Sequence, residues 1–371
     1  MNDPVYLDHN ATTPVHPEVV EVMLPFLTTH WGNPSSSHRA GRAARRGVER
    51  ARDEVAQLVG ARPQEIVFTS GGTESDNLAV RGILSTREGS VLTSPFEHPA
   101  VANPLAWLAE RGRRVHVLDV DDDGRCVVPE ALPEGLALIT VMLAHNETGA
   151  FQPVAELSAL ARGTGVVVHT DAAQAVGKIP VDVHALGVDL LTIAGHKLYA
   201  PKGVGALFVR QGTELQPFAR GAGHETGRRP GTENVAGIVA LGAACRIAGE
   251  RLDARAARME RLRERLMDHL SAVPGIRRTV PGSMALPNTL HVRFPGTTGT
   301  RLLARCPGVA ASTGSACDAG VEHPSRSLLA MGLAPEDALG AVRLSLGGQT
   351  TEDDVDRAGA ELVAAWQMLA S

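Results

Sequence analysis

Lysine is nearly absent from this chain of 371 residues: only Lys178, Lys197 and Lys202 contribute to its 36 lysines and arginines. Cysteine is scarce as well. Its four residues, Cys126, Cys245, Cys306 and Cys317, show no CxxC spacing, so the thiols read as free rather than paired, and no metal site is indicated. No apolar run approaches the roughly 18 residues of a membrane span. The start, Met1-Asn2-Asp3-Pro4-Val5, lacks a basic region followed by an apolar one, so no secretory signal is visible. A net charge of -5 offers no basic surface for nucleic acid or an anionic membrane. These absences point to a cytoplasmic protein of the reducing compartment.

What is present suits a large α/β unit. Apolar residues make up 43% of the chain, an ordinary share for a globular core. Strand and helix patterns alternate from about residue 40 to 210. Helices are expected at Arg42–Val59, Glu74–Leu84, Pro99–Arg111 and Val154–Arg162. Strands are expected at Glu65–Thr69, Ser90–Thr93, Val115–Leu118, Leu136–Leu143, Val166–Asp171, Asp189–Ala194 and Gly203–Val209. Such alternation implies a mostly parallel sheet with right-handed crossovers. From Thr232 to about Leu270 one or two long helices follow, and after a proline-rich passage the pattern restarts as strand, helix, strand, helix. A domain change is placed near residue 255, giving a large unit over 16–254 and a smaller α+β unit from 1–15 and 255–371.

A lysine kept in so arginine-biased a chain calls for chemistry that arginine cannot do. Lys197, in Gly195-His196-Lys197, follows one strand, and Asp171 ends the strand before it, with Gln174 three residues on. A lysine with a lowered pKa can form a Schiff base. An acid and a lysine at the ends of neighbouring strands is the arrangement a pyridoxal phosphate site needs, the acid facing the pyridinium nitrogen.

Other signals are individually modest. Ser70-Gly71-Gly72-Thr73-Glu74-Ser75 lies between strand and helix and suits an anion at a helix N-terminus; a plain turn capped by Thr73 is the alternative. His98 can stack on a cofactor ring or stand at a helix start facing solvent. Asn146 ends a strand, where open α/β sheets bind ligands. Arg343 can clamp a carboxylate, or be one more surface arginine. Cys317 stands among small residues in Ser312-Thr313-Gly314-Ser315-Ala316-Cys317-Asp318-Ala319-Gly320, a mobile, accessible loop by composition. It reads as a nucleophile, against an incidental thiol or a disulfide to Cys306.

Taken together these stretches, with Tyr6-Leu7-Asp8-His9-Asn10-Ala11-Thr12-Thr13-Pro14, Gly32-Asn33-Pro34-Ser35-Ser36 and Arg229-Pro230-Gly231-Thr232-Glu233-Asn234, resemble the cysteine desulfurase family. That family is a fold-type I, aminotransferase class V group of pyridoxal phosphate enzymes. The Ser315-Ala316-Cys317 loop resembles the members whose catalytic loop is long. The resemblance implies roles. Lys197 would bind the cofactor and move protons, Asp171 would hold the ring nitrogen, Gln174 the ring hydroxyl, and His98 would stack on the ring. Gly72, Thr73 and His196 would hold the phosphate, joined by Thr232 from the other subunit of a homodimer. Asn146 and Arg343 would hold the carboxylate of L-cysteine, and Cys317 would take its sulfur as a persulfide and pass it to a protein acceptor, as in iron–sulfur cluster assembly. Three departures stand out. Ala194 replaces a frequent serine, removing a phosphate contact worth roughly 1.5–3 kcal/mol. Ala222 replaces a glycine, and Asp318 sets a carboxylate beside the thiol. Selenocysteine lyase, other class V lyases or aminotransferases, and a non-catalytic scaffold are the competing readings.

Overall fold

The computed structural model describes residues 3–370 apart from 315, 319 and 320; for 316–318 and 321 it describes the backbone alone. Its centre is a sheet of seven strands: β1 (Ile66–Thr69), β2 (Ser90–Thr93), β3 (Val115–Val117), β4 (Leu136–Thr140), β5 (Val167–Asp171), β6 (Leu190–Ala194) and β7 (Gly205–Val209). The spatial order is β1-β7-β6-β5-β4-β2-β3. Crossover connections, most of them carrying a helix, make β3, β2, β4, β5 and β6 mutually parallel. Only β7 runs antiparallel, to β6 on one side and β1 on the other. Its connection from β6 is too short for a crossover, so the chain must double back. β1, β2, β5, β6 and β7 are buried along their whole length, as expected of strands covered on both faces.

Helix Arg39–Val59 buries Ala44, Val48, Ala51, Val55 and Val59 on one stripe and packs on helix Val235–Glu250. Helix Pro17–Thr28 is absent from the sequence reading for a physical reason. It buries Val19 alone, leaves Leu24 and Leu27 exposed, and contains Pro25, so no inward stripe marks it. β4 ends at Thr140, not at Leu143. Beyond it the chain stays buried but turns into the Asn146 loop.

The long helical region breaks at Arg251 into Val235–Glu250 and Leu252–Leu270. The second helix packs into a separate core with Leu290, Val292, Val342, Leu344, Val355 and Leu362, which also takes Val5 and Leu7. That core rests on a three-stranded antiparallel sheet of Ala341–Ser345, Thr289–Arg293 and Arg277–Arg278. Ala285, Leu286 and Leu328 pack instead into the main core, locking the two halves together. Among the described residues no helix is long and apolar enough to cross a membrane.

Candidate active site

One cavity of about 380 Å³ is lined by Gly72, Thr73, His98, Asn146, Asp171, Gln174, His196, Lys197 and Arg343, nine of the residues singled out from the sequence. Most arrive from the C-terminal ends of β1, β2, β5 and β6, the mouth of an open α/β sheet. Thr232 is exposed and does not line it.

Helix Gly72–Leu84 starts two residues earlier than the sequence suggested, with Gly71 as N-cap at φ 147, a conformation that favours glycine. Its first N–H groups, at Gly72 and Thr73, have no intrahelical acceptor and point where an anion is stabilised. Gly205 on β7 lets this turn sit close: a Cβ there would lie 2.7 Å from the Gly71 Cα. Glu74 in the first turn accepts from Ser70 N at 2.7 Å and from Arg229 Nε at 2.8 Å, which ties the Thr232 loop to the same helix end.

Lys197 follows β6 on a single 3₁₀ turn. Its Nζ donates to the Asn10 carbonyl at 2.5 Å and the Ala11 carbonyl at 2.8 Å. Burial and the nearby Arg343 guanidinium push its pKa down to about 8, against the opposing pull of Asp171 and Asp8. Thr13 clasps this turn, its N and Oγ1 both donating to the His196 carbonyl at 2.9 and 3.0 Å. Tyr199, two residues on, is held at φ 70 while its N donates to Thr13 Oγ1. The lysine therefore sits on a backbone with few alternatives.

Asp171 is 8% exposed, with Oδ1 accepting from Ala173 N at 2.8 Å. Burial raises its pKa, opposed by that bond, His98 and Lys197. His98 caps helix Pro99–Ala109, its Nδ1 accepting from Ala100 N at 3.1 Å. The helix-start reading and the cavity reading are thus both true of one residue, and the cap leaves Nε2 as the proton-bearing nitrogen of the neutral ring. Burial lowers its pKa. His196 Nδ1 lies 3.2 Å from Thr12 Oγ1, and burial with nearby cations brings its pKa to about 4.

Arg343 is no surface arginine. It donates from one terminal nitrogen to Asp8 Oδ1 at 2.6 Å and from the other to the Asn146 carbonyl at 3.0 Å, while its buried Nε has no hydrogen-bond partner among the described residues. The backbone of Cys317 lies in a short strand, Ala316–Asp318, paired antiparallel with Val321–His323, where the sequence read a loop. Its side chain, with Ser315, Ala319 and Gly320, falls outside the described residues. Cys306 is a free, buried thiol, which removes the disulfide alternative. Burial pushes Cys126 and Cys306 up to about 12 and Cys245 higher still, so these three are poor nucleophiles. Ala222 lines a different cleft, with Ser35, Arg52 and Glu225.

Sequence reasoning missed Asn10 and Asp76, which also line the cavity. Asn10 lay inside a quoted motif. Asp76 was hidden on the inner face of its helix, where it is 1% exposed with Oδ1 3.6 Å from His169 Nε2.

The lysine, the buried acid and the helix N-terminus around one cavity agree with the aminotransferase class-V family, whose model matches residues 5–358, and the chain belongs to it. Within it the chain belongs to the cysteine desulfurase family. It is similar to the cysteine desulfurase IscS of Anaeromyxobacter dehalogenans strain 2CP-C, at 45% identity over 369 residues, 96% of this chain and 91% of that one. A solved NifS-like protein superposes with a TM-score of 0.92 at 36% identity, covering 98% of this chain and all of the other. A structure titled SspA in complex with cysteine matches at TM-score 0.82 and 34% identity, covering 92% and 98%.

Proposed function

We propose that this chain removes sulfur from L-cysteine with pyridoxal phosphate, yielding alanine and a persulfide on Cys317 that is handed to a protein acceptor. The observation that carries the reading is the convergence of Lys197, Asp171, His98, Gln174, Asn146 and Arg343 on one cavity. The donor set fits the cofactor. Free N–H groups at Gly72 and Thr73, with His196, suit its phosphate; the Asp171 carboxyl suits a protonated ring nitrogen; the Gln174 amide suits a ring hydroxyl; and Lys197 suits its aldehyde.

Pyridoxal phosphate bound here supplies an electron sink for the substrate's α and β carbons. The protein's own groups do the rest. Arg343, anchored by Asp8, and Asn146 hold the substrate carboxylate. Lys197, with its pKa near 8, has an appreciable neutral fraction at physiological pH and can take the Cα proton and return it. His98, on the cavity wall, passes a proton through Nε2, the nitrogen its helix cap leaves free. Cys317 attacks as thiolate: an S–S bond forms to the substrate sulfur, the Cβ–S bond breaks, and its electron pair ends in the new C–H bond of the alanine methyl.

Thr232, exposed on a loop tied to Glu74, reaches the phosphate of a second copy, so the working form is a homodimer. Residues 16–254 form the cofactor-binding unit, while 1–15 and 255–371 form the smaller unit carrying Cys317. The protein works in the cytoplasm. The test is alanine formation from L-cysteine by cofactor-loaded protein, with loss in Cys317→Ala. Full activity in that variant would overturn the persulfide route.

A further inference from the structure

A second lysine stands behind the first. Lys178 Nζ donates to Gln174 Oε1 at 2.7 Å and to Asn10 Oδ1 at 3.0 Å. Asn10 is 1% exposed, and its side chain is further held by donation from Asn288 Nδ2 at 3.1 Å and to Thr289 Oγ1 at 2.9 Å. Its backbone carbonyl accepts from both Lys197 Nζ and Gln174 Nε2, the latter at 2.9 Å. One asparagine thus carries both lysines, Lys178 on its side chain and Lys197 on its main chain.

This arrangement fixes the orientation of the Gln174 amide. A carbonyl oxygen can only accept, so the Gln174 atom facing Asn10 O is the NH₂ group. The oxygen is then the atom facing Lys178, which donates to it. Gln174 lines the cavity, and its NH₂ has a second hydrogen beyond the one given to Asn10. We propose that Lys178 is a positioning residue that, through Asn10 and Gln174, keeps an amide N–H donor presented to the cavity. Resting on the reading of this cavity as a pyridoxal phosphate site, it assigns Lys178 the task of aiming Gln174 at the cofactor's ring oxygen. Burial together with Lys197 and Arg343 holds the Lys178 ammonium well below the usual lysine range. Its two donations need only two N–H bonds, so they survive loss of that proton.

The test is equilibrium binding of pyridoxal phosphate to the full-length apoprotein, followed by absorbance, in a double-mutant cycle. Lys178→Met is expected to raise Kd about tenfold, Gln174→Ala by a similar factor, and the double variant no further than Gln174→Ala. An unchanged Kd in Lys178→Met, or two losses that multiply, would overturn the proposal. Should Lys178→Met fail to fold, Lys178→Gln serves instead. Its polar amide keeps donors in the site but is one bond short of Gln174 Oε1, so the variant is expected to fold and to bind the cofactor about tenfold more weakly; wild-type affinity would overturn the proposal. Failure of the unsubstituted chain to bind pyridoxal phosphate would instead defeat the reading of the cavity.

Discussion

The methyl group of Ala194 faces Gly72: a Cβ placed on Gly72 would lie 3.4 Å from the Ala194 Cβ. The last residue of β6 therefore abuts the N-terminus of the helix proposed to hold the phosphate. A hydroxyl at position 194 has a direct route to that anion. Ala194→Ser is expected to tighten pyridoxal phosphate roughly tenfold, for ~1.5 kcal/mol from one hydrogen bond to a charged group. Ala194 is 3% exposed, so without the phosphate the new hydroxyl is buried and the apoprotein gains no stability. Cofactor titration and melting of both forms check this; equal affinity in the two proteins would contradict it.

Lys197 must lose its proton to react with an aldehyde. With its pKa pushed down to about 8, the neutral fraction grows tenfold per pH unit below 8 and levels off above it. The rate at which apoprotein combines with pyridoxal phosphate should follow that curve. A rate still climbing tenfold per unit at pH 10 would mean an unperturbed lysine. Lys197→Ala should abolish the covalent absorbance band.

Glu97, next to His98, is a buried acid. Its Oε1 accepts from Ser94 Oγ at 2.6 Å and Met142 N at 2.9 Å, and Oε2 has no hydrogen-bond partner among the described residues. Burial raises its pKa to about 8, so the folded state holds a proton that the unfolded state releases near the usual 4.5. Folding stability from this group is full below pH 4.5 and is lost as pH rises toward 8. Glu97→Gln mimics the protonated acid and removes that loss. The difference in Tm should therefore widen in favour of the variant between pH 5 and 8, and a difference independent of pH would refute a raised pKa.

Arg343→Ala removes the proposed carboxylate clamp and leaves Asp8 without its guanidinium. The expected loss in kcat/KM for L-cysteine is about 10- to 100-fold, matching ~1.5–3 kcal/mol of charge-assisted hydrogen bonding. Unchanged kcat/KM would place the substrate carboxylate elsewhere.

Much of this site was legible in the sequence because its residues stand where apolar runs end. Asp171, Asn146 and Lys197 each follow a buried strand or its continuation, and the glycines at 71 and 72 mark the turn into a helix. The antiparallel course of β7 was not legible, since it depends on a connection length whose strand limits are vague in sequence. Nor was the network on Asn10. Its partners Lys178, Asn288 and Ser345 lie 168, 278 and 335 residues away, and no local pattern encodes such contacts. Taken in isolation, Arg343 reads as a surface residue, because nothing nearby in sequence announces Asp8 as its partner; only the resemblance places it at the substrate carboxylate.

The central claim is that Lys197 and the cavity around it deliver the sulfur of L-cysteine to Cys317. The direct measurement is mass spectrometry of the Cys317 peptide after L-cysteine is added to cofactor-loaded protein. One added sulfur atom, removable by a thiol reductant and absent in Lys197→Ala, is the predicted result. Alanine produced at full rate by Cys317→Ala, with no added sulfur on Cys317 in the wild-type chain, would contradict the account.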